Sequence, residues 1–309
     1  MASLPSSLTR HLPRLPFPFS APTVPGGVEA PARAPRAGAD YDTAWARRYP
    51  ARVARVALVE TVARPVVAAL ARPERHGLDR LDDLADAGGP VIFAANHHSH
   101  VDTPLLVTSI PEPWRHRLFV GAAADYFFRT RLTSAVSALA LGAIPIERAK
   151  VGRRSADRAA ALLTEGWSML IFPEGGRSPD GWGQPFRGGT AYLALRCAVP
   201  VVPVHVDGTG RILRKGRKLP TPATARVTFG TPLRPESDQD ARRFAAAIER
   251  AVAELADEAS SDWWSARRRA HDGITPALTG PSAPAWRRAW ALGDPSRRRR
   301  RQRRRWPEL

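Results

Sequence analysis

Asn96-His97-His98-Ser99-His100-Val101-Asp102 follows an apolar run at residues 90–95 and precedes Thr103-Pro104-Leu105-Leu106. The run reads as a strand and the segment after it as the first turn of a helix, so the seven residues sit on a strand-to-helix turn. Histidine releases its proton near neutral pH and can serve as a base without extreme tuning. A carboxylate five residues on can reach the other ring nitrogen, fix the tautomer and stabilise the imidazolium. His97 with Asp102 is therefore the candidate dyad for activating a hydroxyl. Asp102 is also expected to cap the following helix, with Pro104 tolerated in its first turn.

Outward from this turn, strands are expected at 118–122, 142–148, 168–172, 199–206 and 225–229, and helices at 127–141, 153–165, 190–196 and 238–258. Gly166 is the expected stop of the second helix. Strands and helices alternate, which predicts an α/β fold with a mostly parallel central sheet and helices on both faces. Pro200 and Pro203 argue that the strand at 199–206 lies at an edge or bulge. Upstream, 78–87 reads as a short charged helix or turn. Residues 40–72 form an N-terminal helical segment, broken or kinked near Pro65. Its apolar stretch at 53–71 is interrupted by Glu60, Arg64 and Pro65, so it is expected to lie in a membrane interface or pack on the domain, not to span.

The 309 residues suffice for one large domain or two small ones. The expected organisation is a disordered Pro/Ala-rich lead-in at 1–40, a domain at 41–274 with 41–75 as a candidate interface helix, and an Arg/Trp/Pro-rich tail at 275–309. The formal charge is +18, nearly all of the basicity being arginine, with lysine only at Lys150, Lys215 and Lys218. Between Trp286 and Leu309 there are ten arginines against Asp294 and Glu308. Like charges in a block repel and stay extended, so a disordered basic C-terminal tail is expected. Anionic lipid headgroups are its expected partner, helped by Trp263, Trp264, Trp286, Trp290 and Trp306, because indole favours the interface. Nothing resembles a base-reading module, so nucleic acid is not an expected partner. Cys197 is the only cysteine, which excludes an internal disulfide and fits a reducing compartment. The N-terminus lacks an apolar signal region. The expected location is peripheral, on the cytoplasmic face of a membrane.

Three further stretches pair an apolar strand with a polar end: Gly142-Ala-Ile-Pro-Ile-Glu-Arg148, Phe172-Pro-Glu-Gly-Gly-Arg-Ser178 and Val199-Pro-Val-Val-Pro-Val204. Ligands of open α/β sheets sit beyond the carboxyl ends of the strands, so these ends should converge on one cleft. Arg148 and Arg177 there point to an anionic substrate group, since guanidinium forks match phosphate and carboxylate. Gly175-Gly176 lets backbone approach a ligand closely.

The four stretches together resemble the glycerolipid acyltransferase family, whose best-known members acylate 1-acyl-glycerol-3-phosphate. NHHSHVD matches that family's N-H-x-S-x-x-D block, and GAIPIER, FPEGGRS and VPVVPV match its other blocks in order, over roughly residues 50–258. The resemblance implies that His97 is the general base and Asp102 its orienting carboxylate. It implies that Glu174, Gly175, Arg177 and Ser178 belong to the acceptor site, with Arg177 and Arg148 on its phosphate. Val202 and Pro203 would lie near the acyl chain or support the cleft wall. Acyl-CoA or acyl-carrier protein is the implied co-substrate and a lyso-glycerophospholipid the acceptor, with no metal and no tightly bound cofactor. Gly176 stands where the family usually has a hydroxyl residue, Pro145 where an aromatic is common and Glu147 where Asp is frequent, which bears on the acceptor. Other readings are acyl transfer to another lipid alcohol and an inactive lipid-binding relative. A further one is a metallo-β-lactamase-like hydrolase, from His98-x-His100-x-Asp102, although Thr103 stands where that signature has its last ligand.

Overall fold

The short apolar runs become a sheet. The computed structural model describes residues 38, 40–146, 153–178, 181–213, 219–236 and 238–280. Its strands are β1 (Glu74–His76), β2 (Ile92–Ala95), β3 (Leu118–Ala123), β4 (Ala143–Ile146), β5 (Ser168–Ile171), β6 (Val201–Asp207) and β7 (Arg226–Phe229), in spatial order β1-β7-β6-β2-β5-β3-β4. Every neighbouring pair is parallel except β6 with β7. The helices before β3 are α1 (Tyr49–Leu58), α2 (Arg64–Ala71), α3 (Asp82–Ala87), α4 (Asp102–Ser109) and α5 (Glu112–Arg115). After it come α6 (Ala124–Phe127), α7 (Arg131–Leu141), α8 (Arg153–Thr164), α9 (Gly189–Cys197), α10 (Thr209–Ile212), α11 (Ala241–Ser260) and α12 (Trp263–His271).

Because side chains alternate along a strand, β2 feeds two cores. Phe93 and Ala95 join one with Val67, Leu84 and Leu106, from α2, α3 and α4. Ile92 and Ala94 join the other with Leu163, Leu193 and Phe244, from α8, α9 and α11. The sheet is thus covered on both faces, as a mostly parallel sheet requires.

Several expectations need correction. Of the two readings of the proline-bearing strand β6, the edge is wrong, since it pairs with β2 on one side and β7 on the other, and the bulge holds. Its ladder to β7 slips by one residue between the Val201–Leu233 bridge and the Val204–Phe229 pair. Pro203 sits at that slip, accepting from Gly230 N–H at 2.8 Å, where its missing donor is not needed. The kink expected at Pro65 is a π-helical turn, Val59–Ala63, inserted just before it, which absorbs the lost hydrogen bond without ending the helix. The helix expected at 127–141 is two, divided where Thr130 and Thr133 form a reciprocal capping box. The strand β1 was not legible, being three exposed polar residues at the sheet edge. Helix α12, capped by the Asp262 side chain on Ser265 N–H at 2.9 Å, was also missed. Residues 275–280, expected in the loose tail, pack on the 181–183 turn, with Gly183 N–H on Leu278 C=O at 2.9 Å. The lead-in through residue 37 and the arginine tail lie outside the described residues.

Asn96 extends β2 by side chain. Its Nδ2 donates to Val206 C=O at 2.8 Å and its Oδ1 accepts Val206 N–H at 2.7 Å, both buried. Replacing it leaves two backbone groups without partners, each costing about 1–3 kcal/mol. Asn96→Ala is expected to lower the urea unfolding free energy by about 2–4 kcal/mol; a change below about 0.5 kcal/mol would mean water replaces the amide.

Candidate functional site

Two parallel neighbours, β2 and β5, deliver both ends of the site to one edge of the sheet. The 96–102 turn leaves β2, and the 172–178 turn leaves β5. The His97 ring Nδ1–H donates to Asp102 Oδ2 at 2.9 Å. The same oxygen accepts the backbone N–H of His98 at 2.7 Å and of Ser99 at 2.8 Å. Asp102 is fully buried and His97 is partly open. This geometry corrects the expected helix cap: the carboxylate turns back to the loop and the imidazole, and makes no capping bond to α4. With Nδ1 engaged, Nε2 is the ring nitrogen left to act on a ligand.

The His97 ring stacks on Phe172, with centroids 4.1 Å apart. Its backbone is clasped by the second turn: His97 N–H donates to Glu174 Oε1 at 2.9 Å, and Ser178 N–H donates to His97 C=O at 2.9 Å. The other Glu174 oxygen accepts Gln184 N–H at 2.9 Å. Glu174 is only 1% exposed, and burial pushes its carboxyl up to about 7 despite those two donors.

A cavity of about 310 Å³ opens beside His97. Its polar lining includes His97, His100, Asp125, Arg177 and Arg187, with Gly175 and Gly176 beside them; its apolar lining includes Val120, Ala122, Phe127, Leu141, Ile146 and Ile171. The first residues of α9, Gly189 and Thr190, also line it. The Thr190 hydroxyl is buried and has no protein partner, and a helix start favours negative charge. Gly175 has φ +72°, and a Cβ there would meet the Arg187 guanidinium at 2.9 Å, so glycine lets that guanidinium lie over the turn.

The structure therefore brings His97, Asp102, Gly175 and Arg177 together. It sets Glu174 and Ser178 behind the cavity wall: Glu174 ties the two turns, and Ser178 Oγ accepts Gly181 N–H at 2.7 Å. Neither touches the cavity, because the Glu174 carboxylate is held by the His97 and Gln184 amides and the Ser178 hydroxyl by Gly181 N–H. Val202 and Pro203 are likewise off the wall, since β2 separates β6 from β5. Arg148 lies outside the described residues. Arg187 was missed; the signal for it was an arginine beside Gly188-Gly189 at the start of a helix. Ser99 Oγ donates to Leu213 C=O at 2.9 Å and packs the turn.

Among the remaining histidines, His100 stacks on Tyr126 and is hydrogen-bonded to its hydroxyl at 3.2 Å. Burial, with Arg177 and His97 nearby, lowers its proton affinity. His98 is lowered mainly by burial, and burial pushes His205 down to about 4. Among the described residues no three His, Cys, Asp or Glu side chains gather as metal ligands would, so the His98-x-His100-x-Asp102 spacing forms no ligand set.

An acyltransferase family model matches residues 72–207. The chain is 31% identical over 139 residues to a chloroplastic 1-acyl-sn-glycerol-3-phosphate acyltransferase of Brassica napus, covering 44% of this chain and 38% of that protein. It is 24% identical over 184 residues to the alpha form of 1-acyl-sn-glycerol-3-phosphate acyltransferase of Mus musculus, covering 56% and 61%. The chain thus spans less than two-thirds of the length of these relatives. The crystal structure of the 1-acyl-sn-glycerophosphate acyltransferase PlsC of Thermotoga maritima superposes with a TM-score of 0.53 at 23% identity, over 71% of this chain and 83% of that one, which supports the fold. Residues 72–207, which hold the histidine turn and the glutamate clasp on neighbouring strands, are the part of the chain that matches the acyltransferase family model.

Proposed function

We propose that the chain transfers a fatty acyl group from acyl-CoA or acyl-carrier protein to the free hydroxyl of 1-acyl-glycerol-3-phosphate, giving phosphatidic acid. The observation that carries this reading is the His97–Asp102 pair, at 2.9 Å, opening onto a cavity lined by two arginines and by apolar side chains. A phosphorylated headgroup suits Arg177 and Arg187 and the start of α9. A lipid chain suits the wall.

In this reading His97 Nε2 takes the proton of the acceptor hydroxyl as its oxygen attacks the thioester carbonyl carbon. The new C–O bond forms, the C–S bond breaks, and the thiolate takes up the proton from His97. Asp102 holds the tautomer and offsets the charge of the imidazolium. Neither a metal nor a tightly bound cofactor takes part. Glu174 acts at one remove, fixing the His97 backbone against the Arg177 turn. No helix among the described residues is long and apolar enough to cross a membrane, and we place the enzyme at the membrane surface, on its cytoplasmic face.

With a labelled acyl thioester and lysophosphatidate, His97→Ala is expected to lower kcat about 10²–10⁴-fold with the fold unchanged by circular dichroism; turnover within threefold of wild type would remove the base. Arg177→Ala is expected to raise KM for the phosphorylated acceptor more than it lowers kcat, and an unchanged KM would take Arg177 off the phosphate. Glu174 gives a pH signature. An unfolded glutamate titrates near about 4.3, whereas the folded one is raised to about 7 by burial. Between these values the folded chain keeps a proton that the unfolded chain has lost, so stability falls as pH rises. Urea unfolding of wild type should weaken across that window relative to Glu174→Gln; parallel pH profiles would show that the buried carboxyl is already ionised.

A further inference from the structure

Three neighbouring parallel strands open onto the cavity, and one side-chain pair joins the outer two. The sheet order β2-β5-β3 places the Arg177 turn, which leaves β5, between the 96–102 turn of β2 and helix α6, which follows β3. His100 of that first turn and Tyr126 of α6 meet across the middle strand. Their rings stack with centroids 5.1 Å apart, and the Tyr126 hydroxyl lies 3.2 Å from His100 Nε2. Phe127 packs edge-on against Tyr126 at 5.0 Å. All three rings line the cavity together with Arg177. Tyr126 is nevertheless 47% exposed, so it stands at the mouth.

This bridge does little for the fold. It ties two side chains that are both partly open to water, and such a hydrogen bond replaces one already made to water. What it does is set the imidazole. Burial, then Arg177 and His97, lower the proton affinity of His100, so near neutral pH the ring is uncharged and carries a single N–H. Where Tyr126 donates its O–H to Nε2, that proton is on Nδ1, which has no partner among the described residues. His100 thus brings one unengaged donor to the cavity that Arg177 lines.

We propose that His100, held by Tyr126, is a specificity residue that selects a phosphate monoester over a phosphodiester in the acceptor headgroup. The inference rests on the acyl-transfer reading above and deepens it. A monoester presents three terminal oxygens. The fork of the Arg177 guanidinium matches two of them, and the His100 N–H is a donor for the third. A diester has only two terminal oxygens, and its extra substituent would meet the His100 and Tyr126 rings where the monoester has an oxygen. It also leaves the imidazole N–H without a partner, and a site built to hydrogen-bond a substrate group rejects the analogue that lacks it. His97 cannot take this duty, because its Nδ1 is engaged by Asp102 and its Nε2 serves the acceptor hydroxyl.

The test compares kcat/KM of the full chain, with a labelled acyl thioester, for three acceptors of one chain length. They are lysophosphatidate, a monoester; lysophosphatidylglycerol, a diester; and monoacylglycerol, which has no phosphate. Wild type should prefer the monoester. In His100→Ala, KM for lysophosphatidate should rise about tenfold, and the preference for it over lysophosphatidylglycerol should fall about tenfold. His100→Gln, which keeps a donor, should recover most of that preference. Tyr126→Phe keeps the ring and loses only the bridging hydroxyl. Its preference should fall about threefold, and it carries the test if His100→Ala fails to fold. Equal use of both phospholipids by wild type, or an unchanged preference in His100→Ala and Tyr126→Phe, would overturn the inference and leave the acyl-transfer reading standing. So would a loss in His100→Ala shared equally by all three acceptors, which would mean that His100 only steadies its neighbour His97. Wild type that acylates none of the three would instead remove the acyl-transfer reading, and this inference with it.

Discussion

A single carboxylate oxygen organises the candidate site. Asp102 is fully buried, and a buried charge persists only where donors converge on it. Its Oδ2 gathers the His97 ring and the N–H groups of His98 and Ser99, which winds the 97–102 turn around the carboxylate. The turn, in consequence, has one shape. The imidazole is held in the tautomer that leaves Nε2 open, and its plane is fixed a second time by the stack on Phe172. Preorganisation of this kind is what lets a weak base act with a small entropic cost.

The second constraint is the clasp between the two turns. Adjacent parallel strands bring the turns to the same edge, but adjacency alone does not set their spacing. Glu174 does so by bonding His97 N–H with one oxygen and Gln184 N–H with the other. Asn96 performs the matching task on the other side of β2, bonding both main-chain groups of Val206. The histidine turn is thus braced from β5 and from β6, and the cavity arginines inherit their position from the same bracing.

The alternation of strands and helices was legible because apolar runs at strand length alternate with helical periods, and the dyad was legible because five residues across a turn bring imidazole and carboxylate together. What was not legible depended on long-range pairing. The position of β6 is decided by the one-residue slip against β7, which lets an interior strand carry Pro203. The role of Glu174 is decided by two amides, one of them 77 positions away. Edge strand β1 has no apolar pattern of its own, and Arg187 gains its place only when Gly175 lets its guanidinium lie over the turn. Even the direction of Asp102 reversed: residue type and position favoured a helix cap, but the imidazole and two loop amides compete more strongly for the same oxygen.

The central claim is that His97 and Asp102 act as one base. The most direct measurement is single-turnover acyl transfer by His97→Ala, Asp102→Asn and the double variant, compared as a cycle. Residues acting as a unit are non-additive, so the double variant should be no slower than His97→Ala alone. Losses that multiply in the double variant would show that the aspartate and the histidine contribute separately, and would contradict the account.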